Sequence, residues 1–174
     1  MISGLRRLFG TGAPAGLAKR LAPEEHVLAV AEVAGGAEIV ATSLGLWLPA
    51  ADERVGWHLV SKATWAAGAL TVIAAEEDGR AGDAVLLRDL PARRFELSRP
   101  GKLPSVVQTR VNRSIRSRHR IDLPVGGAWF VQRVLPGGRE VALQVRADAG
   151  ADRDAVVRLA EEVSRRIEAG GQVE

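Results

Sequence analysis

The chain has 174 residues, 47% hydrophobic and 26% charged, with 24 basic against 21 acidic side chains and a formal charge of +3. That balance fits one globular domain, or a smaller one with an elaboration, and excludes a wholly disordered chain. The lack of cysteine excludes disulfides, thiolate catalysis and cysteine-ligated zinc or iron–sulfur centres. No run approaches the ~18 apolar residues of a membrane span, and the opening segment lacks the unbroken apolar stretch of a signal peptide. A soluble, cytoplasmic protein is expected.

Taken in chain order, residues 1–21 form an amphipathic N-terminal segment. Ile2, Leu5, Leu8 and Phe9 fall at helical spacing against Arg6 and Arg7, and Gly10 to Pro14 breaks the pattern. So short a segment reads as a terminus docking a few side chains; its bolder reading is a membrane-surface anchor. Pro14 to Leu21 predicts a second short helix with Leu17 and Leu21 on one face.

From His26 the runs are strand-like: His26 to Val33, a Gly35-Gly36 hairpin turn, Ala37 to Thr42, Leu46 to Leu48, and Val55 to Trp65 as one bent strand or two. Ala69 to Ala74 follows, then an acidic solvated loop at Glu76 to Gly79, and strands at Ala84 to Leu87 and Arg93 to Leu97. About seven strands in sequence is the number at which an antiparallel sheet bends or closes to hide its edges. Trp47, Trp57 and Trp65 all fall near strand ends beside turns, where an indole covers a core edge and keeps its N–H satisfied.

Pro104 opens a helix predicted to run to Ser117, with Leu103, Val107, Val111 and Ile115 on one face and Arg113 and Arg116 on the other. An extended run at His119 to Leu123 precedes a hairpin, Trp129 to Leu135 and Glu140 to Val145, turning at Pro136-Gly-Gly138. The last helix, Asp152 to Ala169, begins at an Asp cap and stops at Gly170-Gly171. The expected class is α+β: an antiparallel barrel or strongly bent sheet with a capping helix over residues 22–117, then a hairpin and C-terminal helix packed on it over 118–174.

Val40-Ala-Thr-Ser-Leu-Gly-Leu-Trp-Leu-Pro49, Trp57-His-Leu-Val60 and Leu70-Thr-Val72 carry a resemblance in spacing to the pleckstrin-homology-like (PH-like) domains of uncharacterised proteins from high-GC bacteria. The resemblance covers a little over half the chain and implies a bent seven-stranded sheet closed at one end by a helix. It also implies a binding module for headgroups, peptides or proteins. The loop that corresponds to the phosphoinositide site of eukaryotic members, Ala34-Gly-Gly-Ala37, has no lysine or arginine, so headgroup binding is not carried over.

Catalytic constellations are thin. His26, His58 and His119 are far apart and in no metal or triad spacing. His58 with Lys62 is the best pair for a pocket but reads first as a hydrogen-bonded strand histidine. Asp148, Asp152 and Asp154 lack the glycine and distal glutamate of a calcium loop. The segment Thr11 to Gly16 lacks the Lys-Ser/Thr of a phosphate loop. A non-enzymatic protein with no cofactor and no metal is expected.

Charge is uneven. Between Pro91 and Ile121 lie nine bases, Arg93, Arg94, Arg99, Lys102, Arg110, Arg113, Arg116, Arg118 and Arg120, opposed only by Glu96. Either Glu161, Glu162 and Glu168 of the last helix fold over and pair with them, or the segment is an anion-facing surface. On the second reading Arg110, Arg113, Arg116, Arg118 and Arg120 bind an acidic protein partner or an anionic lipid surface, the latter placing the protein peripherally at the inner membrane face. The alternative is nonspecific nucleic-acid binding through the same residues; with only Phe95 and His119 available for stacking, sequence-specific readout is disfavoured.

Overall fold

The computed structural model describes residues 12–171, so the segment expected at residues 1–9 lies outside the described residues. A short helix α1 (Ala15–Ala18) precedes β1 (Val27–Val33), β2 (Glu38–Thr42), β3 (Gly45–Trp47) and β4 (Val55–Gly56). A 3₁₀ turn (Trp57–Leu59) leads into β5 (Val60–Ala66), β6 (Ala69–Ala81), β7 (Ala84–Asp89) and β8 (Arg93–Arg99). Helix α2 (Leu103–Ser114), β9 (Ile115–Asp122), β10 (Gly127–Val134), β11 (Val141–Ala147) and α3 (Arg153–Glu168) complete the fold.

The protein is α+β, built on one large mixed sheet of 11 strands. The order is β4-β3-β2-β1-β8-β6-β7-β11-β10-β9, with β5 also paired to β6. Strand β11 runs parallel to β7, Val145 opposite Leu86, and the other described pairings are antiparallel. The sheet does not close into a barrel.

The cause is β6, whose 13 residues extend well beyond the expected Ala69 to Ala74. Its first part pairs with β5 and β8, and its second part, Ala75 to Ala81, pairs with β7. The sheet is thus handed on to the C-terminal strands. The acidic loop expected at Glu76 to Gly79 is strand: Glu76 lies opposite Arg88 and forms an ion pair with it, and Glu77 pairs with Arg80 at 2.9 Å. A register shift between Glu77 and Arg80 absorbs Gly79, which sits at φ 124° where side-chain-bearing residues are strained.

Two cores result. The first joins Ile39, Leu46, Trp57, Val60, Leu70, Val72 and Phe95 to Leu103, Val107 and Val111 of α2, which packs on β5, β1 and the 3₁₀ turn. The second joins Ala81, Ala84, Leu86, Phe130, Leu143 and Val145 to Val156, Ala160 and Val163 of α3. It therefore draws on β6 and β7 as well as on elements after residue 118.

Helix α2 ends at Ser114, whose hydroxyl donates to the Val111 carbonyl at 2.6 Å, and Ile115 is already extended (φ −90°, ψ 116°). The expected helix to Ser117 is corrected here. Ile115 satisfies the four-residue repeat of α2, but it also opens a two-residue repeat in which Ser117, His119 and Ile121 are half-buried and Arg116, Arg118 and Arg120 exposed. Pairing with β10 selects the second pattern. Helix α1 is likewise shorter than Pro14 to Leu21, although Leu17 is buried against Val40 and Trp47. In α3 the Asp152 carboxylate accepts from the N–H groups of Asp154 (3.0 Å) and Ala155 (3.4 Å), the cap read from sequence.

Leu103 is fully buried in the first core, so Leu103→Ala is expected to lower unfolding free energy by about 2–5 kcal/mol, measured by chemical denaturation.

Candidate functional site

The region around α2 is anchored by a buried carboxylate. Glu25, just before β1, has no exposed side-chain surface. Its Oε1 accepts from the Thr42 hydroxyl (2.6 Å) and the Trp47 indole (3.0 Å), and its Oε2 from the Ala22 N–H (3.0 Å) and the Arg54 guanidinium (2.6 Å). Burial pushes this carboxyl up, but the Thr42, Ala22, Trp47 and Arg54 donors together outweigh it and hold the group below its ordinary value. Thr42 Oγ1 also accepts from the N–H groups of Leu44 and Gly45, and the Thr42 carbonyl accepts from the Trp57 indole at 3.0 Å. Gly45 is required here because a Cβ would stand 2.3 Å from the Val55 carbonyl oxygen across β3–β4. Two of the three tryptophans singled out by their turns are thus fixed through their N–H groups. Trp65 departs from that expectation: at the end of β5 it is 43% exposed.

Trp57 and Leu44 form one wall of a groove of about 420 Å³, and Arg110, Arg113 and Ser114 of α2 form another, with Pro136 and the β10–β11 turn at its end. On the other side of the same α2 residues lies a shallower depression of about 250 Å³, lined by Leu28, Lys102, Val106 and Thr109. Arg110 and Arg113 line both. They make a basic ridge between two grooves, with half-buried Arg110 flanking the packed face of Leu103, Val107 and Val111 and Arg113 turned out to solvent. Among the described residues no carboxylate lies within ion-pair distance of either arginine.

The remaining arginines of the predicted set lie elsewhere. Arg116 sits at a register shift between β9 and β10 and lines a depression with Asp83, Gln132 and Glu168. Arg118 stacks over the Trp129 ring at 5.1 Å and lines a different depression. Arg120 is paired, its guanidinium donating to Asp148 at 2.9 and 2.6 Å and to Asp122 at 3.1 Å. The Asp148 hydrogen bond stabilises the Arg120 cation further, and the reciprocal bond holds Asp148 below the usual carboxylate range. The five residues therefore do not form one face.

The acids of α3 do not neutralise the basic segment. Glu162 pairs with Arg166 on its own helix, and Glu168 accepts from Ser164. The alternative partners Glu161, Glu162 and Glu168 have no ion pair to Arg110, Arg113, Arg116, Arg118 or Arg120 among the described residues.

His58 lies in the 3₁₀ turn, half-buried against Gly56, and its own carbonyl accepts from the Gln144 amide at 2.9 Å. Burial first, and then the Arg133 charge, push this imidazole below its ordinary value, so it is neutral at physiological pH. Lys62 is exposed on β5. No group of three or more potential metal ligands occurs among the described residues. Comparison of the chain with protein-family models, curated proteins and solved structures finds no match.

Three residues of consequence escaped the sequence reading. Glu25 is one of two adjacent acids in a polar stretch before β1, and nothing local distinguishes it from its exposed neighbour Glu24. Arg133 and Arg146 had a signal. Strand alternation places Arg133 on the same face as Trp129 and Val131, a charge inside an apolar run.

Because Glu25 is more acidic folded than unfolded, its contribution is fully present above its ordinary value of 4.5 and is lost as pH falls through the lower folded value. Glu25→Gln is expected to cost about 3 kcal/mol at neutral pH. It is also expected to flatten the acid limb of a stability–pH curve below that value, measured by urea unfolding.

Proposed function

We propose that this chain is a non-enzymatic binding module of PH-like type whose α2 ridge receives an acidic segment of a protein partner. The fold reading is supported by β1–β6 and β8, seven strands joined in one sheet, with α2 packed against them. The functional reading is carried by one observation: Arg110 and Arg113 stand between two grooves with no carboxylate within ion-pair distance among the described residues, the exposed Glu24 that lines the larger groove included.

The groove walls favour a polypeptide. Val134, Leu135 and Pro136 supply apolar surface beside the guanidinium groups, so a segment alternating acidic and apolar side chains meets complementary chemistry along its length. A flat bilayer reaches the rim of such a groove but not its walls. Nucleic acid finds no exposed aromatic on the ridge, Trp57 being 5% exposed. The working set is Arg110 and Arg113 with Lys102, and the other three arginines serve elsewhere.

The double variant Arg110→Glu/Arg113→Glu is expected to keep the unfolding free energy within about 0.5 kcal/mol of the parent. Used as baits in affinity capture, the parent retains a protein with an acidic segment and the variant does not, and salt near 0.5 M, where the Debye length falls to roughly 4–5 Å, releases it. Anionic vesicles and random oligonucleotides serve as parallel probes. Salt-sensitive binding to either, lost in the variant, with no captured protein, would replace the polypeptide reading.

A further inference from the structure

The far side of the β9–β11 region holds a further depression, about 300 Å³, bounded by Asp89, Asp148, Arg118, Trp129, Arg133 and Arg146. Arg133, on β10, is 2% exposed. Its Nη2 donates to the carbonyls of Trp57 (2.6 Å) and Val60 (2.7 Å), while its Nε is buried without any hydrogen-bond partner. Arg146 stands on the neighbouring strand directly opposite Trp129 and donates through Nη1 to the Ser61 hydroxyl. Its Nε and Nη2 are also buried and unpartnered. The nearest carboxylate oxygen, Asp89 Oδ1, is 3.9 Å from Arg146 Nε, beyond hydrogen-bond reach, and Asp89 is half exposed to water.

Two guanidinium groups with buried, unpartnered N–H donors thus share one depression, in which Asp148 is taken by Arg120 and Asp89 lies out of hydrogen-bond reach. Burial, and then the charge of Arg146, push Arg133 down to about 10, which leaves it cationic at neutral pH. Arg146 is pushed down by burial, opposed by Asp89. Such an arrangement disfavours folding unless something supplies acceptors. Bridging water can satisfy the free N–H groups, but it leaves the two like charges uncompensated. An oxyanion does both, since its oxygens match the planar donor pairs of arginine. At the mouth, Arg118 is already held over Trp129, and Arg120, 5.9 Å from the same ring, is locked to Asp148. Ile115 and Val131 add apolar wall, so the space suits more than a lone ion.

We infer that this depression binds a phosphate monoester, its oxyanion held by Arg133 and Arg146 from within and by Arg118 at the mouth, and its organic part against Trp129, Ile115 and Val131. The site is separate from the α2 ridge and does not depend on that reading. Three cations, set against the half-exposed Asp89 and against an Asp148 already paired to Arg120, favour a dianion over a monocarboxylate.

The test uses phenyl phosphate, with benzoate and phenol as comparators at constant ionic strength. Phenyl phosphate is expected to raise Tm of the parent in a dose-dependent way, more than benzoate does, with phenol inert. Arg118→Ala, a surface change, is expected to leave Tm in anion-free buffer unchanged and to weaken phenyl phosphate binding roughly tenfold or more. Arg146→Gln is expected to abolish the response. On the unaltered protein, the Arg133 Nε–H resonance is expected to shift on titration, a readout that survives even if a variant fails to fold. Absence of any Tm or resonance response in the parent would overturn the site. An equal response in Arg118→Ala would do so as well. A lowered Tm in Arg146→Gln with the response retained would reduce Arg146 to a structural tie for Ser61, and benzoate binding as tightly as phenyl phosphate would overturn the phosphate assignment.

Discussion

Strand β6 belongs to two cores at once: Leu70 and Val72 pack under α2, while Ala81, at its other end, packs under α3. Because a strand is stiff along its length, the orientation of one core relative to the other follows from the path of β6 through Val72 to Ala75, where its partners change from β5 and β8 to β7. Both candidate sites follow that division. The ridge of Arg110 and Arg113 lies on the first core's helix with the β10–β11 turn reaching over to close its groove, and the Arg133–Arg146 depression lies where strands of the second core meet the start of β5.

The two buried polar sets differ in a way that separates scaffold from site. Glu25 accepts four hydrogen bonds, one of them from a cation, and is therefore saturated. It fastens the segment before β1, the β2–β3 turn and the loop before β4 to one point. Arg133 and Arg146 spend some donors on the Trp57 and Val60 carbonyls and the Ser61 hydroxyl, and keep others unused. A saturated charge holds a fold together, whereas an unsaturated one of fixed geometry is disposed to take up something from solution.

How far these features could be read from the chain varies with the range of the interaction. Gly35-Gly36, with φ of 98° and 91°, turns β1 into β2 as its composition requires, and the Asp152 cap and the Gly170 stop of α3 are local events written in local residues. The end of α2 is different, because Ile115 fits two periodicities and only β10, which arrives later in the chain, decides between them. The Glu76 to Gly79 stretch looks like a solvated turn for the same reason: Arg88, its partner, lies on the following strand. Of the candidate site, the surplus of arginine was plain, but its division among four depressions depends on the register shift at Arg116 and on which acids reach which bases. Those are properties of tertiary pairing.

The parallel contact of β11 with β7, Gln144 opposite Val85 and Val145 opposite Leu86, also has a consequence for the order of assembly. Every element of the first core lies before the end of α2 in the chain, so all of them are made before β9, β10, β11 and α3. At that moment β7 still presents an unpaired edge, and Leu86 lacks its partners on β10, β11 and α3. Closing that edge joins residues nearly sixty positions apart, a loop whose entropy must be lost before the contact is gained. The nascent chain therefore passes through a stage with a finished first half and an adhesive second half, and the charged pair Glu76–Arg88, with Arg80 and Asp89 close by, marks the exposed border of the waiting hairpin with groups that resist pairing with another chain.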